Sequence, residues 1–187
     1  MHFSNREPVN SDLLPIVNGK RLRKLAREIA LLRAVEVDNH LPANLLVAIF
    51  LIETKERPAY MRYGEYILVV FGAFQNTLMR KPVKNYTIGK CQLGLATILN
   101  YFGTSLYQHL EHIERFDAKD LGIVIKSVSS KIHFLILAHR VTPIYQRATR
   151  IYESDVENVC CYVGEQYNGR YTYGILLSEV VKTLGKK

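Results

Sequence analysis

Glu53 is the first residue in this sequence that could do chemistry. It stands near the end of the apolar run Leu45-Leu-Val-Ala-Ile-Phe-Leu-Ile-Glu53-Thr54. Helical spacing places Phe50, Ile49 and Leu46 on its own face, three, four and seven residues back. A carboxyl group against such a wall loses hydration, and its pKa is expected to rise. A raised pKa lets a carboxyl hold a proton near neutral pH, as a general acid must. Two further clusters carry polar groups at tight turns. Tyr86-Thr87-Ile88-Gly89-Lys90-Cys91-Gln92 offers donors and acceptors on Thr87 and Gln92, and Gly89 allows close approach to a ligand. Tyr167-Asn168-Gly169 offers a phenol, an amide and a flexible glycine after a helix. Each cluster also has a plain reading: a glutamate reaching solvent, a turn before a helix, and a helix stop with a left-handed residue.

Other chemistries have less to work with. Glycosidases commonly place two carboxylates across the scissile bond. After Glu65 no Asp or Glu occurs until Glu111, so the segment 80–95 brings no second acid to Thr87 or Gln92. Glu56 and Glu65 are the acids near Glu53 in sequence. Glu65, turned inward, is the candidate second carboxylate, and Glu65 or Thr87 the candidate holder of a water. His109 and His112 are three apart and lack an evident third ligand, so no metal site is expected. Cys91, Cys160 and Cys161 are odd in number and form no CxxC pair, which argues against a disulfide framework and a structural zinc. No cofactor is implied.

The chain has 187 residues, 48% of them hydrophobic and 22% charged, ordinary values for one globular domain. Lys and Arg number 25 against 17 Asp and Glu, a formal net charge of +8. That surplus favours an anionic partner: nucleic acid, a membrane surface or an acidic wall polymer. The runs Leu45–Ile52 and Tyr66–Phe74 fall short of the roughly 18 residues of a spanning helix, so no transmembrane segment is expected. The opening residues Met1-His-Phe-Ser-Asn-Arg-Glu-Pro contain no apolar stretch of the signal-peptide kind.

The elements that must position these residues read as mainly helical. Residues 1–18, with Pro8 and Pro15, form an arm, and 19–187 one domain. Gly19 to about Val37 is an amphipathic helix with Leu22, Leu25, Ala26, Ile29 and Leu32 on one face. Lys20, Arg21, Arg23, Lys24 and Arg27 lie on the other, read as a solvated face. Pro42 opens a second helix, Ala43 to about Glu56, which Pro58 ends. A third runs from near Met61 to Phe74 or beyond. The stretch 81–90 is turn-rich with a short β-like segment. Cys91 to about Tyr101 is expected to be helical and Gly103 to end it. A helical zone follows from Ala118 to about Ala138, broken near Pro143. Helices over Ser154–Gln166 and Gly174–Leu184 flank the Tyr167 turn.

Taken in this order, the three clusters resemble the lysozyme-like soluble lytic transglycosylases, and more loosely goose-type and phage lysozymes, over roughly residues 40–175. The matching pieces are Leu45-Leu-Val-Ala-Ile-Phe-Leu-Ile-Glu53-Thr54, Thr87-Ile-Gly89-Lys-Cys-Gln92-Leu and Tyr167-Asn-Gly169. The family's Glu-Ser stands here as Glu53-Thr54, its Ala-Tyr-Asn-Ala-Gly turn as Gln166-Tyr-Asn-Gly-Arg170, and the Tyr66–Phe74 helix is extra. The resemblance implies a lysozyme-like helical domain with a short β-hairpin lining the substrate groove. It implies that Glu53 is the catalytic acid, that Gly89, Gln92, Tyr167 and Asn168 contact substrate, and that Tyr167 approaches Glu53. The implied substrate is the peptidoglycan glycan strand, cut between N-acetylmuramic acid and N-acetylglucosamine.

A lone acid suits a lytic transglycosylase forming 1,6-anhydro ends. A hydrolytic muramidase and a silent glycan- or protein-binding domain of the same fold are the alternatives. With no Trp, sugar stacking falls to some of the 12 Tyr. The positive charge then reads as attraction to the anionic wall rather than nucleic acid, and an inhibitor or immunity protein is a candidate partner. The expected place of action is the periplasm or cell exterior, reached through a holin or a secretion machine, or with an export signal removed.

Overall fold

The computed structural model describes residues 19–56, 59–103, 111–153 and 155–186. The arm 1–18 and His109 lie outside the described residues, and Glu56 is described as backbone alone. Eight helices and four two-residue strands make the described fold mainly α.

Helix α1 (Gly19–Asp38) lays Leu25, Ile29, Leu32 and Val35 against the core. Two expected inner positions, Leu22 and Ala26, are exposed instead. The inner face takes in two carboxylates, Glu28 and Glu36, so the apolar stripe is rotated toward its C-terminal half. Arg23, Lys24 and Arg27 are on the outer side. Glu36 is 1% exposed and accepts backbone N–H groups from Asn44 (2.9 Å), Leu46 (2.6 Å) and Val47 (3.2 Å). Those donors are the otherwise unpaired start of α2 (Leu45–Glu56). Burial pushes the Glu36 carboxyl up, and the three N–H groups hold it back. Glu36 therefore fixes the entry of the helix that carries Glu53. Residues 45–52 of α2 are apolar all round and lie in the core, as such a stretch must.

Helix α3 (Ala59–Met79) ends at Arg80, whose φ of 57° stops the helix. Strand β1 (Val83–Lys84) pairs antiparallel with β4 (His112–Ile113), Val83 opposite Ile113. Strand β2 (Thr87–Ile88) pairs antiparallel with β3 (Leu93–Gly94), Thr87 opposite Gly94. Helix α4 (Leu95–Tyr101) follows directly. The helix expected from Cys91 thus starts later, because 87–94 closes a hairpin with the left-handed residues Gly89 and Gln92 in its loop.

Helix α5 (Ala118–Ser127) starts on a capping box, with Asp117 accepting from Asp120 N and Asp120 from Asp117 N. Helix α6 (Ser130–Tyr152) follows at 96° to it. The expected continuous helix to Ala138 therefore breaks at Val128–Ser129, and the break expected near Pro143 is absent. Pro143 sits on the exposed side of α6, as does His139, whose carbonyl it leaves without an N–H. Helices α7 (Val156–Asn168) and α8 (Tyr171–Gly185) turn back on each other at Gly169, whose φ is 79°. They pack closely enough that a Cβ on Gly174 would meet the Cys161 carbonyl oxygen at 2.3 Å. One hydrophobic cluster joins α1, α2, the hairpin, α6, α7 and α8. Phe50 of α2 and Phe134 of α6 meet edge to face within it, 5.6 Å apart.

Candidate active site

Helix α2 delivers Glu53 into the core, where 4% of the residue remains exposed. The Tyr173 hydroxyl of α8 donates to Glu53 Oε1 at 3.0 Å. Tyr167, at the end of α7, is turned elsewhere. Its hydroxyl donates to the Cys91 carbonyl in the hairpin loop, and its ring lies 6.1 Å from that of Tyr173. Arg140 of α6 stacks on the Tyr167 ring at 4.7 Å and donates to its carbonyl at 2.7 Å. The phenol expected to approach Glu53 is therefore hydrogen-bonded to the hairpin, and Tyr173, six residues on, donates to the acid. Tyr167 still lies within range of the carboxylate. Burial pushes its phenol well above its usual value, and Cys91 and Glu53 push further. The Cys91 thiol is pushed up as well, by burial first and Glu53 second. Both groups stay protonated, so Tyr167 acts as a donor and Cys91 is no thiolate nucleophile.

The hairpin loop is clamped from several sides. Gly89 is buried, and a Cβ there would meet His133 Cε1 at 2.3 Å. The close approach that Gly89 permits is thus to the His133 ring. Its amide also hydrogen-bonds the Tyr66 phenol of α3. Lys90 pairs with Glu28 of α1, and its Nζ lies 3.3 Å from Ser130 Oγ. Burial lowers the pKa of Lys90. His133 Nε2 accepts from Cys91 N at 3.4 Å, and Nδ1 faces the Ser127 carbonyl at 3.3 Å. These partners assign the proton to Nδ1. Burial lowers the His133 pKa to about 4, so the ring is neutral at pH 7.

Thr87 and Gln92, expected to face a polar groove, are turned onto the hairpin itself. Thr87 Oγ1 donates to Gln92 Oε1 at 2.9 Å, and Gln92 Nε2 donates to the Gly89 carbonyl at 2.9 Å. Gln92 is buried. Asn168 is exposed at the end of α7. Glu65 is half-buried with one carboxylate oxygen enclosed, and it shares the inner side of α3 with Val69 and Asn76. Thr54 Oγ1 is buried and has no hydrogen-bond partner among the described residues. Among the described residues no three His, Cys, Asp or Glu side chains gather as a metal site requires.

The structure thus joins three segments far apart in sequence: α2 with Glu53, the 87–92 loop, and the Tyr167–Tyr173 turn. Sequence reasoning passed over Tyr173, His133, Glu36 and Arg140. Tyr173 had no motif around it. His133 had one signal, a lone polar residue ahead of the apolar run Phe134-Leu-Ile-Leu-Ala138. The assembled groups can hold or give a proton at Glu53, steadied by the Tyr173 hydroxyl. Compared with known proteins, the chain matches no family model, no curated protein and no solved structure.

Proposed function

We propose that the chain is a peptidoglycan-cleaving enzyme with a lysozyme-like domain, using Glu53 as its single acid and base. The observation that supports this reading is the convergence at Glu53. The acid of α2, the hairpin loop through Cys91 and the turn through Tyr167 and Tyr173 come together over separations of up to 120 residues.

In the proposed reaction Glu53 gives its proton to the glycosidic oxygen between N-acetylmuramic acid and N-acetylglucosamine. The C1–O4 bond breaks, and the N-acetyl group stabilises the oxocarbenium-like centre. Glu53, now a carboxylate, takes the proton of the muramic 6-hydroxyl as that oxygen bonds C1. A 1,6-anhydro ring closes, and Glu53 is protonated again. The Tyr173 hydroxyl steadies one carboxylate oxygen through both halves. Asn168, exposed beside the turn, is the substrate contact, and the substrate is the glycan strand at the cell wall, in the periplasm or cell exterior. Hydrolytic muramidase action would route a water through Glu65. Thr87 is less suited to that task, because its hydroxyl donates to Gln92.

A second reading has its own support. Glu53 is only 4% exposed, and Gln92 is spent on its own hairpin. A lysozyme-like domain that binds glycan or protein without turnover has this character. Digestion of purified sacculi with mass spectrometry of the soluble products separates the readings. The enzyme reading expects anhydro-muropeptides, one water lighter than hydrolytic products, from the wild type and none from Glu53→Gln. Reducing-end products alone would move the reading to a hydrolase. No difference between wild type and Glu53→Gln would leave the silent domain.

A further inference from the structure

Helix α3 is built inside out. Its inner side is narrow and partly polar: Glu65, Val69, Gly72, Ala73 and Asn76. Asn76 faces in to donate to the Lys81 and Glu114 carbonyls and to accept from Phe116 N. The outer side holds Tyr60, Tyr63, Ile67, Phe71, Phe74 and Leu78, exposed by 55–70%. Steps of three, four, four, three and four residues align them in one stripe about 27 Å long. No charged residue interrupts it. A helix of a soluble domain ordinarily turns its more apolar face inward, and a monomer rarely exposes an apolar patch beyond a few hundred Å². Beside the stripe an apolar cleft of about 320 Å³ runs between α3 and α5, lined by Val70, Val124 and Ile125 among others. Ile125 and Val128 are themselves exposed and widen the face.

The far end of the stripe is cationic: residues 80–84 hold Arg80, Lys81 and Lys84 and no acid. Arg80, Lys81 and Lys84 are exposed. The acids nearest this far end in the sheet are Glu111 and Glu114, which flank β4. In a twofold pair with parallel helices these cations would meet their own copies, whereas an anionic headgroup layer complements them.

We propose that the outer face of α3 rests on an anionic phospholipid bilayer. Ile67, Phe71 and Phe74 sink into the boundary between headgroups and acyl chains, and the terminal cations meet lipid phosphates. Tyr60 and Tyr63 stand where amphipathic rings favour the interface. The helix lies on the bilayer and does not cross it. Among the described residues no single helix is long and apolar enough to span, although α5 and α6 together have the length and composition, with a 96° bend between them. This surface stands independently of any reaction at Glu53.

The test is co-sedimentation of the full chain with vesicles of phosphatidylglycerol and phosphatidylethanolamine, and with vesicles of phosphatidylcholine alone. The wild type is expected to bind the anionic vesicles. The triple variant Ile67→Glu, Phe71→Glu, Phe74→Glu is expected to bind them at least about tenfold more weakly with an unchanged circular dichroism spectrum. Arg80→Glu with Lys81→Glu should reduce binding by less, and added salt should weaken the wild type. If the triple glutamate variant does not fold, Phe71→Ser with Phe74→Ser gives the same readout. Equal binding by wild type and folded variant, no binding by the wild type, or equal binding to phosphatidylcholine would each overturn the proposal. So would a wild-type dimer in sedimentation that the variant dissociates.

Discussion

The hairpin loop 89–92 and helix α3 touch through Tyr66 and Gly89, yet they dispose their side chains in opposite ways. In the loop, polar groups point inward and find partners: Lys90 on Glu28, Gln92 on Gly89, and the Cys91 backbone on His133 and Tyr167. On α3, the largest apolar groups point outward. Both depart from the usual sorting of apolar inside and polar outside, but with different consequences. A buried, satisfied polar network fixes geometry, and removing one member strands the others. An outward apolar stripe adds little to the fold and gains its free energy from whatever covers it. Perturbing the loop should therefore unfold the protein, and perturbing the stripe should leave the fold intact.

The largest effect is expected at Gly89. An alanine there brings Cβ to 2.3 Å from His133 Cε1 at a φ of +77°. The ring cannot yield easily, because Ser127 and Cys91 hold both its nitrogens. The clash and the left-handed backbone together should cost about 3 to 5 kcal/mol in urea unfolding. A loss within about 1 kcal/mol would mean that the loop is free to move, and the contrast with α3 would collapse.

His133 gives the next test, through pH. Its folded pKa is lowered from 6.5 to about 4. Between those values the unfolded chain binds the proton and the folded one does not, so stability rises with pH across that window. The contribution is complete above pH 6.5 and is lost as pH falls toward 4. It should reach the order of 3 kcal/mol, read as the difference in pH dependence between the wild type and His133→Gln. Parallel profiles would show that the ring is not held neutral.

The helices were legible where one face was apolar, as in Leu25, Ile29 and Leu32 of α1, or where the whole segment was, as in α2. Three boundaries fall elsewhere for local reasons, the start of α4 among them, because 87–94 closes a hairpin first. Pro143 breaks a helix only where its missing hydrogen bond matters, and on the exposed side of α6 it does not. The break that does occur, at Val128–Ser129, follows no Pro or Gly; the backbone leaves the helical region at Ser129, where ψ is 134°. Of the candidate site, Glu53 and the two turn segments stood out locally by residue type. Their mutual arrangement did not, because Tyr173 on Glu53 and Tyr167 on Cys91 depend on how α7 and α8 turn back at Gly169 and pack at Gly164 and Gly174. The outward stripe of α3 was hidden for a related reason. Apolar residues occur on both sides of the helix, so the pattern alone does not say which side the core takes.

Tyr173→Phe removes the hydroxyl that donates to Glu53 Oε1 and keeps the ring in place. The loss of one hydrogen bond to a buried carboxylate should cost about 1 to 2 kcal/mol of stability. If the enzyme reading holds, release of muropeptides should fall further than this stability loss explains, whereas Asn168→Ala, at an exposed position, should change turnover with little effect on the fold. Full activity in Tyr173→Phe would remove the phenol from the mechanism and leave it a structural role.

The smallest effect on folding is expected where side chains are largest. Phe74 is 61% exposed on α3. Truncating a buried Phe ordinarily costs about 3 to 5 kcal/mol, but Phe74→Ser should shift the unfolding free energy by no more than about 0.5 kcal/mol. The same substitution should raise solubility and lower vesicle binding. A loss of 2 kcal/mol or more, roughly half the cost of truncating a buried Phe, would mean that this face is already covered within the chain, by residues outside those described. The stripe would then be core, and α3 would join the hairpin loop as a region whose side chains serve the fold.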